Sequence, residues 1–122
     1  MHPKSPKWLD DVADAAAFIV EQTTGKTLAD DERDRILRSV VERNFEIAGE
    51  ALRRLERTDP VTVQRISNYR KVIGFRNQLV HGYDVINNAQ VWTIINDFLP
   101  LLRTEVGLLL REAEEEQGDD PG

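Results

Sequence analysis

The chain has no cysteine, which excludes a disulfide framework, thiolate metal sites and a cysteine nucleophile. It has only two histidines, His2 and His81, and the first stands in what reads as a loose terminus. No run approaches the roughly 18 apolar residues that a membrane-spanning helix needs, and Met1-His2-Pro3-Lys4 opens without the apolar segment of a signal peptide. These absences predict a cytoplasmic protein with no membrane partner. One more absence is local. Although 22 residues are Asp or Glu and the net charge is −6, none falls between Val61 and Tyr83. That stretch instead carries Arg65, Arg70, Lys71 and Arg76.

A cationic segment in an acidic chain suits contact with a phosphate backbone, while the acidic remainder discourages loose binding. The competing reading is a basic face neutralised by acids elsewhere in the fold or on a second subunit. Charge alone favours the competing reading.

The 122 residues fit one domain with a core of its own. Ser5-Pro6 reads as N-cap plus first-turn proline, followed by Trp8, Leu9, Val12, Ala15, Ala16 and Ile19 at helical spacing. Thr23-Thr24-Gly25 ends that helix, and Leu28-Ala29-Asp30-Asp31 opens a long second one with an apolar stripe from Ile36 to Leu55. Thr58-Asp59-Pro60 breaks the chain again. Val61 to Val80 forms one or two helices, with Gly74 as a candidate joint. A last helix from about Ala89 to Glu116 is kinked at Pro100. The pattern predicts an all-α antiparallel bundle of four to five helices over 5–113, with 114–122 a flexible acidic tail. Leu108-Leu109-Leu110 and the wide second stripe fit a homodimer.

Chemistry concentrates in Arg76-Asn77-Gln78-Leu79-Val80-His81-Gly82-Tyr83. Imidazole suits proton transfer near neutral pH, and guanidinium offers fixed charge with a fork of donors matched to phosphate. On a continuous helix, five residues place Arg76 and His81 about 140° apart. They meet only if the helix ends near Val80 or if two copies face each other. Alternatively Arg76 pairs with an acid, His81 caps a helix and Tyr83 packs on the core. Glu46 and Glu50, four apart on one helix, read as a solvated or salt-bridged face in preference to a metal or proton-shuttling site. Trp8 and Trp92 read as core or interface anchors.

Arg76-x-x-x-x-His81-x-Tyr83 resembles the R-x-x-x-x-H-x-Y signature of HepT-like toxins in the HEPN ribonuclease superfamily. Val41-Glu42-Arg43-Asn44-Phe45-Glu46-Ile47-Ala48-Gly49-Glu50-Ala51 is similar to that family's RNLEIIGEA helix. Asp97-Phe98-Leu99-Pro100 and Val91-Trp92 resemble its DLP and VW segments, and Asp10-Asp11 falls in place. The resemblance spans about Leu9 to Leu110. It departs after Tyr83, where Asp84-Val85-Ile86-Asn87 replaces YFGVD, and in Arg65 to Gly74, which lacks the PWREIAG wording.

The resemblance implies a HEPN-like dimer and a metal-independent endoribonuclease without cofactor, with Arg76 and His81 catalytic. Asn77 would orient phosphate or imidazole, and Arg70 and Lys71 would steer the RNA. It further implies an MntA-like nucleotidyltransferase antitoxin that silences the toxin by adding AMP to Tyr83, where new negative charge opposes RNA phosphate. Two rivals stand beside it: a non-catalytic helical docking partner of a nucleotidyltransferase, and an inert structural dimer.

Overall fold

A computed structural model describes residues 1–82 and 86–118. Helix α1 spans Ser5–Thr23, α2 Leu28–Arg33, α3 Arg35–Thr58, α4 Pro60–Val63, α5 Tyr69–Val80, α6 Asn88–Thr93 and α7 Leu99–Gly118. A π-helical segment, Ile94–Phe98, joins α6 to α7. The described residues are all-α.

Local side chains explain most of the boundaries. Thr27 and Asp30 form a reciprocal capping box: the Asp30 amide donates to Thr27 Oγ1 at 3.1 Å and the Thr27 amide to Asp30 Oδ2 at 2.8 Å. Asp34 then accepts from the Ile36 and Leu37 amides. The predicted long second helix is therefore two, α2 and α3, because a second cap restarts the chain after one short turn. Asn87 caps α6 in the same way through the Ala89 and Gln90 amides.

Two further boundaries differ from expectation. The joint inside Val61–Val80 lies at Gln64–Asn68, where Asn68 adopts a left-handed φ of 62°, while Gly74 continues α5. At Pro100 the last helix is relieved by a wider winding. The Leu99 amide bonds Ile94 O, five residues back, which makes room where the proline ring would otherwise press on the preceding turn.

Ser5 is the first residue of α1, and Lys4 takes the N-cap position without a side-chain bond. The Ser5 hydroxyl is instead buried and donates to Asp59 Oδ2 at 2.8 Å. Asp59 also accepts from the His2 amide at 3.0 Å and from the Thr62 amide and hydroxyl at 3.2 and 2.6 Å. Far from being loose, the terminus holding His2 is tied to the α3–α4 corner. Burial alone would raise the Asp59 carboxyl, but these donors outweigh it and hold the group well below the ordinary carboxylate range.

That knot also fixes topology, since the start of α1 meets the end of α3 and the two run antiparallel. Helix α3 packs against both α1 and α5, and α1 also packs on α7. Leu9, Val12 and Ile19 of α1, Phe45, Leu52 and Leu55 of α3, Phe75 of α5, and Leu102, Val106 and Leu109 of α7 are buried together. Each contributes about 1.5–3 kcal/mol relative to an exposed side chain. Phe45 and Phe75 meet edge to face, 5.2 Å between centroids, so the α3–α5 contact is specific as well as apolar. Trp92 is partly buried against this core.

Candidate functional site

The four cations of the carboxylate-free stretch meet different fates. Arg65 makes a two-pronged bond to Glu112 at 2.7 and 2.6 Å, and its charge is spent inside the chain. Arg70 is exposed, with Nε donating to the Tyr69 hydroxyl at 3.1 Å. Lys71 is exposed, with Nζ lying 4.6 Å over the Phe98 ring. Arg76 is only 15% exposed at its side chain and lies 3.0 Å from Glu50 Oε2. The internal-neutralisation reading thus holds for Arg65 and Arg76, whereas Arg70 and Lys71 stay at the surface.

Helical phase sorts the residues of α5 into two faces. Asn77 and His81 lie seven and eleven positions beyond Arg70, returning to within about 20° of its direction. Arg70, Asn77 and His81 therefore form one row, and Arg76 stands on the flank turned toward α3. Asn77 links the two, because its Oδ1 accepts from Arg76 Nη1 at 3.1 Å.

His81 is exposed and closes α5, its amide bonding Asn77 O at 3.0 Å with φ −82° and ψ 0°. Gly82 follows at φ +64°, the left-handed turn that ends helices and that a side chain resists. Because α5 is continuous up to Val80, one chain keeps the Arg76 and His81 directions about 140° apart. Tyr83 lies outside the described residues.

The position of Arg76 is set from across the helix interface. A Cβ added to Gly49 of α3 would lie 2.2 Å from Arg76 Cβ, 2.8 Å from its Cγ and 3.2 Å from Val72 O. Only a residue without a side chain lets α5 lie this close. Glu50, the next residue, draws three guanidinium groups: Arg54 Nε donates to Oε1 at 3.0 Å, Arg76 Nη2 lies 3.0 Å from Oε2, and Arg53 Nη1 lies 3.7 Å from Oε2. The Arg76 contact is an ion pair without hydrogen-bond alignment, and Oε2 is otherwise buried. Burial would raise the Glu50 carboxyl. The Arg54 bond and the charges of Arg76, Arg53 and Arg54 more than offset that and lower it.

Glu50, Arg54 and Arg76 line an open groove of about 420 Å³ between α1, α3 and α5, walled also by Trp8, Ile47 and Val80. Arg54 and Lys7 lie over the Trp8 ring at 5.0 and 5.4 Å. Glu46 pairs with Arg43 at 3.2 Å, so both carboxylates of the Glu46/Glu50 pair are salt-bridged, as their spacing suggested. Among the described residues no cluster of three or more His, Cys, Asp or Glu is placed to hold a metal ion, and no helix is long and apolar enough to cross a membrane.

Sequence reasoning left Arg70 and Lys71 either on the helix of Arg76 and Asn77 or across a joint at Gly74, with His81 where the helix ends; the structure puts all four on α5 with His81 closing it. Sequence reasoning did not find the seat of Arg76. The available signal was a glycine followed by a glutamate in the middle of a long helix, where glycine costs about 1 kcal/mol and wants a packing reason.

Two curated proteins are similar to this chain over most of its length. "Putative RNase TTE0752" of Caldanaerobacter subterraneus is 26% identical over 110 residues, covering 89% of this chain and 97% of the relative. "Putative RNase MJ1380" of Methanocaldococcus jannaschii is 26% identical over 102 residues, covering 84% and 93%. No solved structure matches. Residues 12–108, which run from α1 to α7 and contain Gly49, Glu50, Arg76 and His81, match the family described as Ribonuclease HepT-like, and the chain belongs to that family.

Proposed function

We propose that this chain is the toxin of a type VII toxin–antitoxin pair, a metal-independent endoribonuclease that cuts RNA through the R-x-x-x-x-H-x-Y segment. The observation that carries the reading is the end of α5, where Arg76 is fixed beside an open groove and joined through Asn77 to the row that ends in His81. Membership of a ribonuclease family supports RNA as substrate.

The chemistry follows from what these groups do to a phosphodiester. The RNA 2′-hydroxyl loses its proton and forms a bond to the adjacent phosphorus. The P–O5′ bond breaks, giving a 2′,3′-cyclic phosphate, and the departing 5′-oxygen takes up a proton. His81 moves a proton as base or acid, and Arg76 binds the phosphate oxygens as their charge grows. Asn77 orients guanidinium or phosphate, and Arg70 and Lys71 draw the strand along the exposed side of α5.

The 140° between Arg76 and His81 is reconciled by a homodimer in which His81 of one copy works with Arg76 of the other. Val80 and Ile47, 49% and 37% exposed beside the groove, supply apolar surface for that contact. An MntA-like nucleotidyltransferase is the proposed antitoxin, adding AMP to Tyr83 and so placing negative charge beside the RNA phosphate.

The test is RNA cleavage by the purified chain in EDTA. Arg76→Ala and His81→Ala each lower the rate by about 10²–10⁴-fold, and unchanged cleavage by His81→Ala ends the reading. Co-expression with an MntA-like nucleotidyltransferase adds AMP-sized mass increments to the wild type and none to Tyr83→Phe.

A further inference from the structure

We infer that Glu50, delivered by α3 through the side-chain-free contact at Gly49, is a positioning residue that presets the Arg76 guanidinium for phosphate before RNA arrives. The inference deepens the ribonuclease reading above and rests on it.

Surface ion pairs usually contribute little, because two flexible side chains must be held in one geometry against water and salt. Three observations set this pair apart. The β- and γ-methylenes of Arg76 lie directly on the backbone of Gly49, so the first half of the side chain has no room to swing toward α3. Its outer half is held at two points on different helices, Nη1 by Asn77 Oδ1 and Nη2 by Glu50 Oε2. The side chain as a whole is also largely withdrawn from water, at 15% exposure.

A carboxylate 3.0 Å from a phosphate-binding cation carries an evident penalty, since it offsets the charge that attracts RNA. The arrangement limits that penalty, because Arg53 and Arg54 share the same carboxylate. A guanidinium has five N–H donors in a rigid fork, and the two contacts engage one nitrogen each. The remaining donors are left to grip a phosphate from an orientation already chosen. Glu50 thus trades some strength of attraction for precision, and misplacement of such a group by about 1 Å costs on the order of 10²-fold in rate.

That trade separates positioning from mere structure or charge. Glu50→Gln keeps the shape and adds one positive charge to the groove. Simple electrostatics then predicts tighter RNA binding and cleavage at least as fast. Positioning predicts binding unchanged or tighter, with slower cleavage once RNA is bound.

The experiment compares wild type, Glu50→Gln and Glu50→Asp as full-length chains. Binding is read with RNA made uncleavable by 2′-deoxy substitution, turnover by single-turnover cleavage at saturating RNA, and Arg76 order by nitrogen NMR relaxation of its Nε–H group without RNA. The expected result for Glu50→Gln is a mobile Arg76 Nε–H, undiminished binding and cleavage slower by about 10–100-fold. Glu50→Asp, which keeps the charge on a shorter arm, recovers part of the rate.

An Arg76 Nε–H as ordered in Glu50→Gln as in wild type overturns the proposal whatever the cleavage rate. So does wild-type cleavage by Glu50→Gln while Arg76→Ala is inactive, an outcome that leaves the ribonuclease reading standing. Parallel loss of binding, turnover and thermal stability assigns Glu50 a structural role and overturns the proposal too. Full cleavage by Arg76→Ala removes both.

Discussion

Two helix-interior glycines give a pair of substitutions with opposite expected signs. Gly74 lies in α5 with nothing within 4 Å of an added Cβ. Gly74→Ala therefore gains helix propensity without a clash and stabilises the chain by about 0.5–1 kcal/mol. Gly49→Ala receives the same gain but sets its methyl 2.2 Å from Arg76 Cβ, where carbon atoms ordinarily rest about 3.5–4 Å apart.

Relieving the Gly49→Ala clash moves α5 away from α3 by more than 1 Å. The obstruction is the root of a side chain and the carbonyl of Val72, not a flexible tip. The shift disturbs the edge-to-face contact of Phe45 and Phe75. Overpacking of this kind costs about 1–3 kcal/mol, so after the propensity gain the net loss is about 1–2 kcal/mol. Urea unfolding of both variants at one dilute protein concentration measures the difference: the midpoint rises for Gly74→Ala and falls for Gly49→Ala, with m unchanged. The same shift carries Arg76 with it, so cleavage by Gly49→Ala falls by up to about 10²-fold. Equal stabilisation by both alanines would refute the claim that Gly49 exists for a close helix crossing.

Two further outcomes follow from the charges. Asp59→Ala removes the acceptor of four hydrogen bonds, leaves the buried Ser5 hydroxyl unpaired and uncaps α4; it should cost about 3 kcal/mol, read as a fall in Tm of roughly 10 °C. The Asp59 carboxyl is depressed on folding, so its stabilisation is complete above the ordinary aspartate pKa of about 4 and is lost as pH falls below it; thermal melts from pH 6 down to pH 2 should show wild type losing more stability than Asp59→Asn. For RNA binding, Arg70→Ala and Lys71→Ala should each lower the slope of log K against log salt by about 0.7. Arg65→Ala should leave the slope unchanged, because Glu112 already neutralises that cation.

The bundle was legible wherever periodicity and local caps agreed. The stripes of α1, α3 and α7 foretold most of their buried faces, since a long amphipathic helix has one way to hide its apolar side, although Ile36, where the α3 stripe was expected to begin, is 77% exposed. Boundaries set at a distance were not legible. Ser5 looked like a cap and is buried under Asp59, a partner 54 positions away. Asp34 fell inside the single long helix expected after Leu28 and is the cap that divides α2 from α3. Pro100 announced an irregularity without revealing that a π-helical segment would stand just before it. At the site, the residue types and their order along α5 were readable, but the counter-charges were not. Glu50, Glu105 and Glu112 approach the carboxylate-free stretch from α3 and α7, and composition along a chain carries no information about what folding lays beside it.

The π-helical turn before Pro100 bears on which length changes the chain tolerates. Removing one residue from Ile94–Phe98 would restore uniform winding and, because a π-helical turn holds one residue more than an α-helical one, keep Leu102, Val106 and Leu109 on the core side; the cost falls on the proline ring, pressed against the turn behind it. The proline and the surplus residue are thus bound together, so that neither is lost cheaply without the other.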